Sequence, residues 1–240
     1  MTRVAPVRFS PLWWWHLFGF MSISTITGVR IHAIALKTAT MNISTGQTVA
    51  FFLSYFTHWA LMFVQGHFAV VLFLSSFERW RDSPNKALHL ARITQVVALI
   101  ESVVVGVGFW IGIMPFRGKM PAPGYMLFSS VTVHGGTAVL MLIDLFVTHY
   151  RVCEHPKREL LACIVSVIAY LPVSAVCSAV SGHPPYRQML WNGPLLTIAS
   201  VCGLVATQVI LYYFFFILVF RHWHHPTASE ITSPDPVDGP

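Results

Sequence analysis

Six apolar runs occupy most of this chain: Leu12–Leu36, Val49–Ser76, Ile93–Pro115, Tyr125–Thr148, Leu160–Ser181 and Leu195–Phe220. A helix needs about 20 apolar residues to cross the hydrocarbon core of a bilayer. Inside that core each backbone N–H and C=O has to be bonded within the protein, which leaves helices and closed barrels. Runs this long, without alternation of period two, specify helices. The expected fold is all-α, a polytopic membrane bundle of about six transmembrane helices.

Composition agrees: 55% of residues are hydrophobic and 10% charged, where a soluble domain carries about 25% charge. With short connections there is no room for a separate soluble domain. Residues 1–226 read as a single six-helix transmembrane domain, and 227–240, rich in Pro, Ser and acids, as a disordered cytoplasmic tail. The first run is too long for a cleaved signal peptide and reads as a signal anchor.

The net charge of +6 would suggest nucleic acid in a soluble protein, but here its distribution explains it. If the N-terminus is cytoplasmic, that side holds Arg3, Arg8, Arg79, Arg81, Lys86, Arg92, Arg151, Lys157, Arg158 and Arg221. The other side holds only Lys37, Arg117, Lys119 and Arg187. Ten against four follows the positive-inside rule and places both termini in the cytoplasm. The Asn42-Ile43-Ser44 sequon then faces the lumen. Cys163, Cys177 and Cys202 lie in apolar runs, and Cys153 sits beside the fourth. With no CxxC pair, a zinc site is not expected.

Few residues inside the runs carry chemistry. Thr57 lies about eight residues inside the lumenal end of the second run, roughly 12 Å deep at 1.5 Å per residue. His134 lies at about the same depth in the fourth run, roughly 10–13 Å. Arg30 and His32 sit near the lumenal end of the first run, and His183 just past the fifth. This makes a basic, hydroxyl-bearing layer, and intramembrane ionisable groups normally face the bundle interior or a wet cavity. The plain alternatives are a threonine bonded to its own helix and a histidine bonded to a neighbouring one. Arg30 is open to a similar choice, between reaching toward the headgroups and binding the free carboxylate of a lipid. Deeper, Glu101 and Asp144 are candidates for a proton-sharing carboxyl pair, with His67 in reach of one of them.

The segment from His134 through Asp144 to His149 resembles the fourth span of the androgen-induced gene 1 and androgen-dependent TFPI-regulating protein family. There a histidine is followed ten residues on by an acid and five later by a histidine. Phe109-Trp110, Ser181-Gly182 with Tyr186, and Tyr55-Phe56-Thr57-His58-Trp59-Ala60-Leu61 resemble further segments of the same family. The likeness runs over roughly residues 50–190. It departs in the fifth span, where Ser178 and Ala179 stand in place of paired histidines, with His183 nearby.

Members of that family are intramembrane threonine hydrolases of fatty-acid esters of hydroxy fatty acids. The resemblance implies Thr57 as nucleophile and His134 as its general base, with no cofactor. Ser54, one helical turn earlier, fits a shifted register and is the other candidate nucleophile. The substrate side of the site is then Arg30, His183 and Ser54, the partner a lipid with a free carboxylate, and the location the endoplasmic reticulum or plasma membrane. Two other readings are a b-type di-haem transmembrane cytochrome, using His58 or His67 with His134, and a lipid-binding or transport protein without chemistry.

Overall fold

The computed structural model describes residues 10–41, 43–76, 84–113, 124–148, 156–183, 186 and 194–219. Among them the structure is all-α, and six helical segments are long and apolar enough to cross a membrane. They are Pro11–Ala39, Phe56–Ser76, Lys86–Ile111, Leu127–Thr148, Pro156–Ser181 and Thr197–Phe216. The protein is a multi-span helical membrane protein. The sequon asparagine Asn42, Cys153, His149 and the 227–240 tail lie outside the described residues.

Helix α1 (Pro11–Ala39) starts with proline in its first turn, and the Ser10 side chain accepts from Trp13 N–H, a standard way to satisfy a free N-terminal donor. After it, α2 (Thr45–Ser54) opens on a capping box: Ser44 accepts from Gln47 N–H while the Gln47 side chain accepts from Ser44 N–H. Helix α3 (Phe56–Ser76) runs antiparallel to α1. Arg30 near the end of α1 meets His58 at the start of α3, and Ser24 meets Gln65 further along. Gly19 permits this approach, because a Cβ there would lie 2.3 Å from the Phe68 ring.

The continuous second span expected from Val49 to Ser76 is in fact two helices. Tyr55 adopts φ −91°, ψ 129°, an extended conformation that ends α2 and lets α3 start in a new direction. Such a break strands carbonyls in a medium without water, and side chains from α3 and from a helix distant in sequence satisfy them. Phe52 C=O accepts from His58 Nδ1–H, and Leu53 C=O from Trp59 Nε1–H at 3.0 Å. Ser54 C=O accepts from Tyr170 Oη–H at 2.8 Å and Ser174 Oγ–H at 2.9 Å. Helix α2 thus packs on the helix that carries Tyr170 and Ser174, while α3 packs on α4.

Helix α4 (Pro84–Val107) is the axis of the bundle, with 72% of its most apolar stretch buried. It begins nine residues before the expected Ile93, because Arg92 does not mark a membrane edge. Arg92 is buried and paired with Glu159 at 2.6 Å. Glu159 also accepts from Tyr212 Oη–H at 3.1 Å. A π-helical stretch, Gly108–Ile113, extends α4. Helices α5 (Tyr125–Val131) and α6 (Thr137–Thr148) are joined by a second π-helical stretch, Thr132–Gly136. Helices α7 (Pro156–Ser181) and α8 (Pro194–Tyr212) complete the bundle.

Glu101 and Asp144 do not form a pair. Asp144 on α6 accepts from Trp15 Nε1–H at 2.9 Å and Gln95 Nε2–H at 2.6 Å, and His67 Nε2 lies 3.0 Å away. His16 Nε2 stands 3.5 Å from the same carboxyl. Glu101 on α4 turns to the other side, where Ser166 Oγ–H and Gln208 Nε2–H donate to it. Positions 95 and 101 are six residues apart, so they present different faces of α4. His67 does meet one of the acids, Asp144.

Candidate functional site

Near the end of the bundle where α1 finishes and α3 begins lies a cavity of about 400 Å³. Its walls are mostly apolar, from Phe56, Val104, Val105, Val107, Phe109, Ile111 and Leu204. Its polar groups are Thr57, His134, Tyr186, Ser200 and Thr207. Val107 and Ile111 are also exposed on the outside of the bundle, so the void reaches the surface that faces lipid. An apolar pocket with a few converging polar groups is the usual form of a small-molecule site.

Thr57 and His134 reach this cavity from different helices, and irregular backbone positions each of them. Thr57 is the second residue of α3, just after the extended Tyr55. The first N–H groups of a helix lack intrahelical partners and carry the positive end of its dipole. His134 lies within the π-helical stretch Thr132–Gly136, a distortion that often re-aims a side chain at a functional site. Its ring stacks on Phe109, with centroids 3.7 Å apart and planes within 2°. Phe109 belongs to the π-helical stretch that extends α4. Gly106 allows the two backbones to close, since a Cβ there would stand 2.9 Å from the His134 carbonyl.

Tyr186 is the group that sequence reasoning did not place in the site. Tyr186 lines the cavity together with Phe56 and Thr57 at the head of α3. Burial pushes its phenol above the ordinary tyrosine value, while the neighbouring Thr57 and Phe56 and the Arg30 charge pull it down. The Tyr55 ring lies edge-on to the Tyr186 ring at 5.5 Å. The signal for Tyr186 in the sequence was only its position after Ser181-Gly182, which carried no indication of depth.

The remaining sequence candidates lie beside the cavity without lining it. Ser54 is fully buried, and its hydroxyl donates to Phe51 C=O at 2.8 Å. His183 packs edge-on against Phe51. Arg30 Nε–H donates to His58 Nε2 at 3.0 Å, which fixes the His58 tautomer. Nε2 accepts, so the proton is on Nδ1 and goes to Phe52 C=O. Arg30 therefore braces the broken helix through His58. Both ring nitrogens of His58 are engaged in this way, and those of His67 meet Thr94 and Asp144. In this arrangement neither His58 nor His67 presents an unengaged nitrogen.

The fold and the pocket define a class, a multi-span helical membrane protein with a mostly apolar cavity. Compared with protein-family models, characterised proteins and solved structures, the chain matches none.

Proposed function

We propose that this protein is an intramembrane lipid ester hydrolase that cleaves fatty-acid esters of hydroxy fatty acids, with Thr57 as nucleophile and His134 as general base. One observation carries the reading: a hydroxyl at the start of a helix and an imidazole on another helix line one apolar cavity. Thr57 is favoured over Ser54 because Ser54 is turned onto its own backbone.

In the reaction, His134 takes the Thr57 proton as Oγ1 attacks the ester carbonyl. The N–H groups at the start of α3 and the helix dipole stabilise the negative charge that develops on the carbonyl oxygen. Collapse expels the hydroxy-acid alkoxide, which takes the proton from His134 and leaves an acyl-threonine. Water, deprotonated by His134, then attacks that ester and releases the fatty acid and free Thr57. One water is consumed and no cofactor is needed.

The apolar walls suit an acyl chain, and the opening beside Val107 and Ile111 suits access from the bilayer. Arg30, beside the cavity, supplies a cation for the carboxylate of an acid-bearing substrate. The ten-to-four split of basic residues supports cytoplasmic termini. That orientation puts the cavity in the lumenal leaflet of the endoplasmic reticulum or the outer leaflet of the plasma membrane.

The test is hydrolysis of such esters by purified protein in lipid nanodiscs. Thr57→Ala and His134→Ala should each abolish turnover, and the double variant should be no worse, as for residues that act as one unit. Turnover near wild type in Thr57→Ala overturns the reading.

A further inference from the structure

Resting on that reading, we propose that the Tyr186 hydroxyl is a catalytic hydrogen-bond donor: together with the Phe56 and Thr57 N–H groups it holds the carbonyl oxygen of the ester as that oxygen becomes negative. Tyr186 lines the same cavity as Phe56, Thr57 and His134. The break at Tyr55 leaves the Phe56 and Thr57 N–H groups at the head of α3 without partners in their own helix. The Thr57 side chain and the Phe56 and Thr57 backbone are polar neighbours of the phenol and favour its charged form.

The chemistry at this point is that of an oxygen-binding pocket. Backbone N–H groups at a helix start are donors without an intrahelical partner, and a substrate carbonyl oxygen is the kind of acceptor they take. The ring is held from the side by Tyr55, the very residue whose extended backbone exposes those N–H groups. One local distortion therefore positions the nucleophile, frees the two amide donors and seats the third. Burial keeps the phenol protonated in the neutral range, the form in which it donates. Arg30 lies close enough to Tyr186 to favour negative charge there. During attack the carbonyl π electrons move onto oxygen, and the O–H of Tyr186 bonds that oxygen without giving up its proton. On collapse the charge leaves with the alkoxide and Tyr186 is unchanged.

Tyr186→Phe removes the hydroxyl and keeps the ring against Tyr55. Loss of one such donor typically lowers kcat by about 10²–10³. The expected result in nanodiscs, with a neutral aryl ester, is a loss of kcat in that range with KM within about threefold of wild type. A merely structural cap of α3 is separated from this by 3,5-difluorotyrosine at position 186, which retains the donor but ionises at lower pH. The substituted protein should match wild type at low pH and lose turnover at a pH where the parent phenol is still protonated, a shift of the alkaline limb that a structural cap would not produce. A Tyr186→Phe variant with kcat within threefold of wild type overturns the proposal. So does one with raised kcat/KM, because Tyr186 would then be blocking the oxygen pocket. Thr57→Ala is measured alongside. If it retains turnover, the hydrolase reading itself fails; if it is dead while Tyr186→Phe is normal, only the role of Tyr186 fails.

Discussion

The break between α2 and α3 rests on the Ser54 carbonyl, and removing its two donors should straighten the helix. Tyr170→Phe and Ser174→Ala each delete one bond to that oxygen, at 2.8 and 2.9 Å. Either single change leaves one donor in place, so its cost should be small. Side-chain hydrogen bonds between membrane helices average about 0.6 kcal/mol, with a maximum near 1.7. The double change leaves a buried carbonyl with neither donor, a state that costs about 1–3 kcal/mol unless the backbone rearranges. A rearrangement is at hand. His58 N–H, which now bonds Tyr55 C=O at 3.1 Å, is the i+4 partner of Ser54 in a continuous helix. The double variant should therefore recover part of its stability by extending α3 into α2, and this turns Thr57 away from the cavity. In reversible unfolding in mixed micelles, the singles should each lose up to about 1 kcal/mol. The double should depart from their sum by at least about 0.5 kcal/mol, as expected for residues that share a partner. Ester hydrolysis should survive in both singles and vanish in the double. Additive stabilities with turnover retained in the double variant would refute the role given to this carbonyl.

Three further outcomes follow. Gly106→Ala places a Cβ 2.9 Å from the His134 carbonyl and should cost about 1–3 kcal/mol, read by the same micelle unfolding, with turnover reduced because His134 shifts. Arg30→Gln should lower hydrolysis of acid-bearing esters far more than that of a neutral aryl ester; an equal loss on both would assign Arg30 to bracing His58 alone. Asp144→Ala strips Trp15, Gln95 and His67 of their shared acceptor and should cost several-fold more stability than Glu101→Gln, whose amide oxygen still accepts from Ser166.

Run length made six spans legible in the sequence, because the thickness of a bilayer converts directly into a count of apolar residues. The break at Tyr55 was not legible. No glycine or proline stands between Gly46 and Gly66, and the groups that satisfy the Ser54 carbonyl, Tyr170 and Ser174, lie more than a hundred residues away. Counting residues from a membrane edge gives depth but not azimuth. Depth brought Thr57 and His134 to one layer, and the structure lines one cavity with both. The same count suggested Glu101 beside Asp144, whereas Glu101 on α4 faces α7 and α8, and Asp144 on α6 is bonded by residues of α1, α3 and α4. Arg92 looked like the edge of a span because an unpaired arginine belongs there; Glu159, on a different helix, is what allows it inside. Tyr186 could not be placed because a residue beyond the end of a span returns to the cavity only through tertiary structure.

The most direct test of the central claim is covalent capture of the nucleophile. Wild-type protein in nanodiscs, incubated with a lipophilic fluorophosphonate and digested, should carry a single adduct on Thr57, and His134→Ala should abolish that labelling while leaving the protein folded. An adduct on Ser54, or labelling of Thr57 that persists undiminished without His134, would contradict the account.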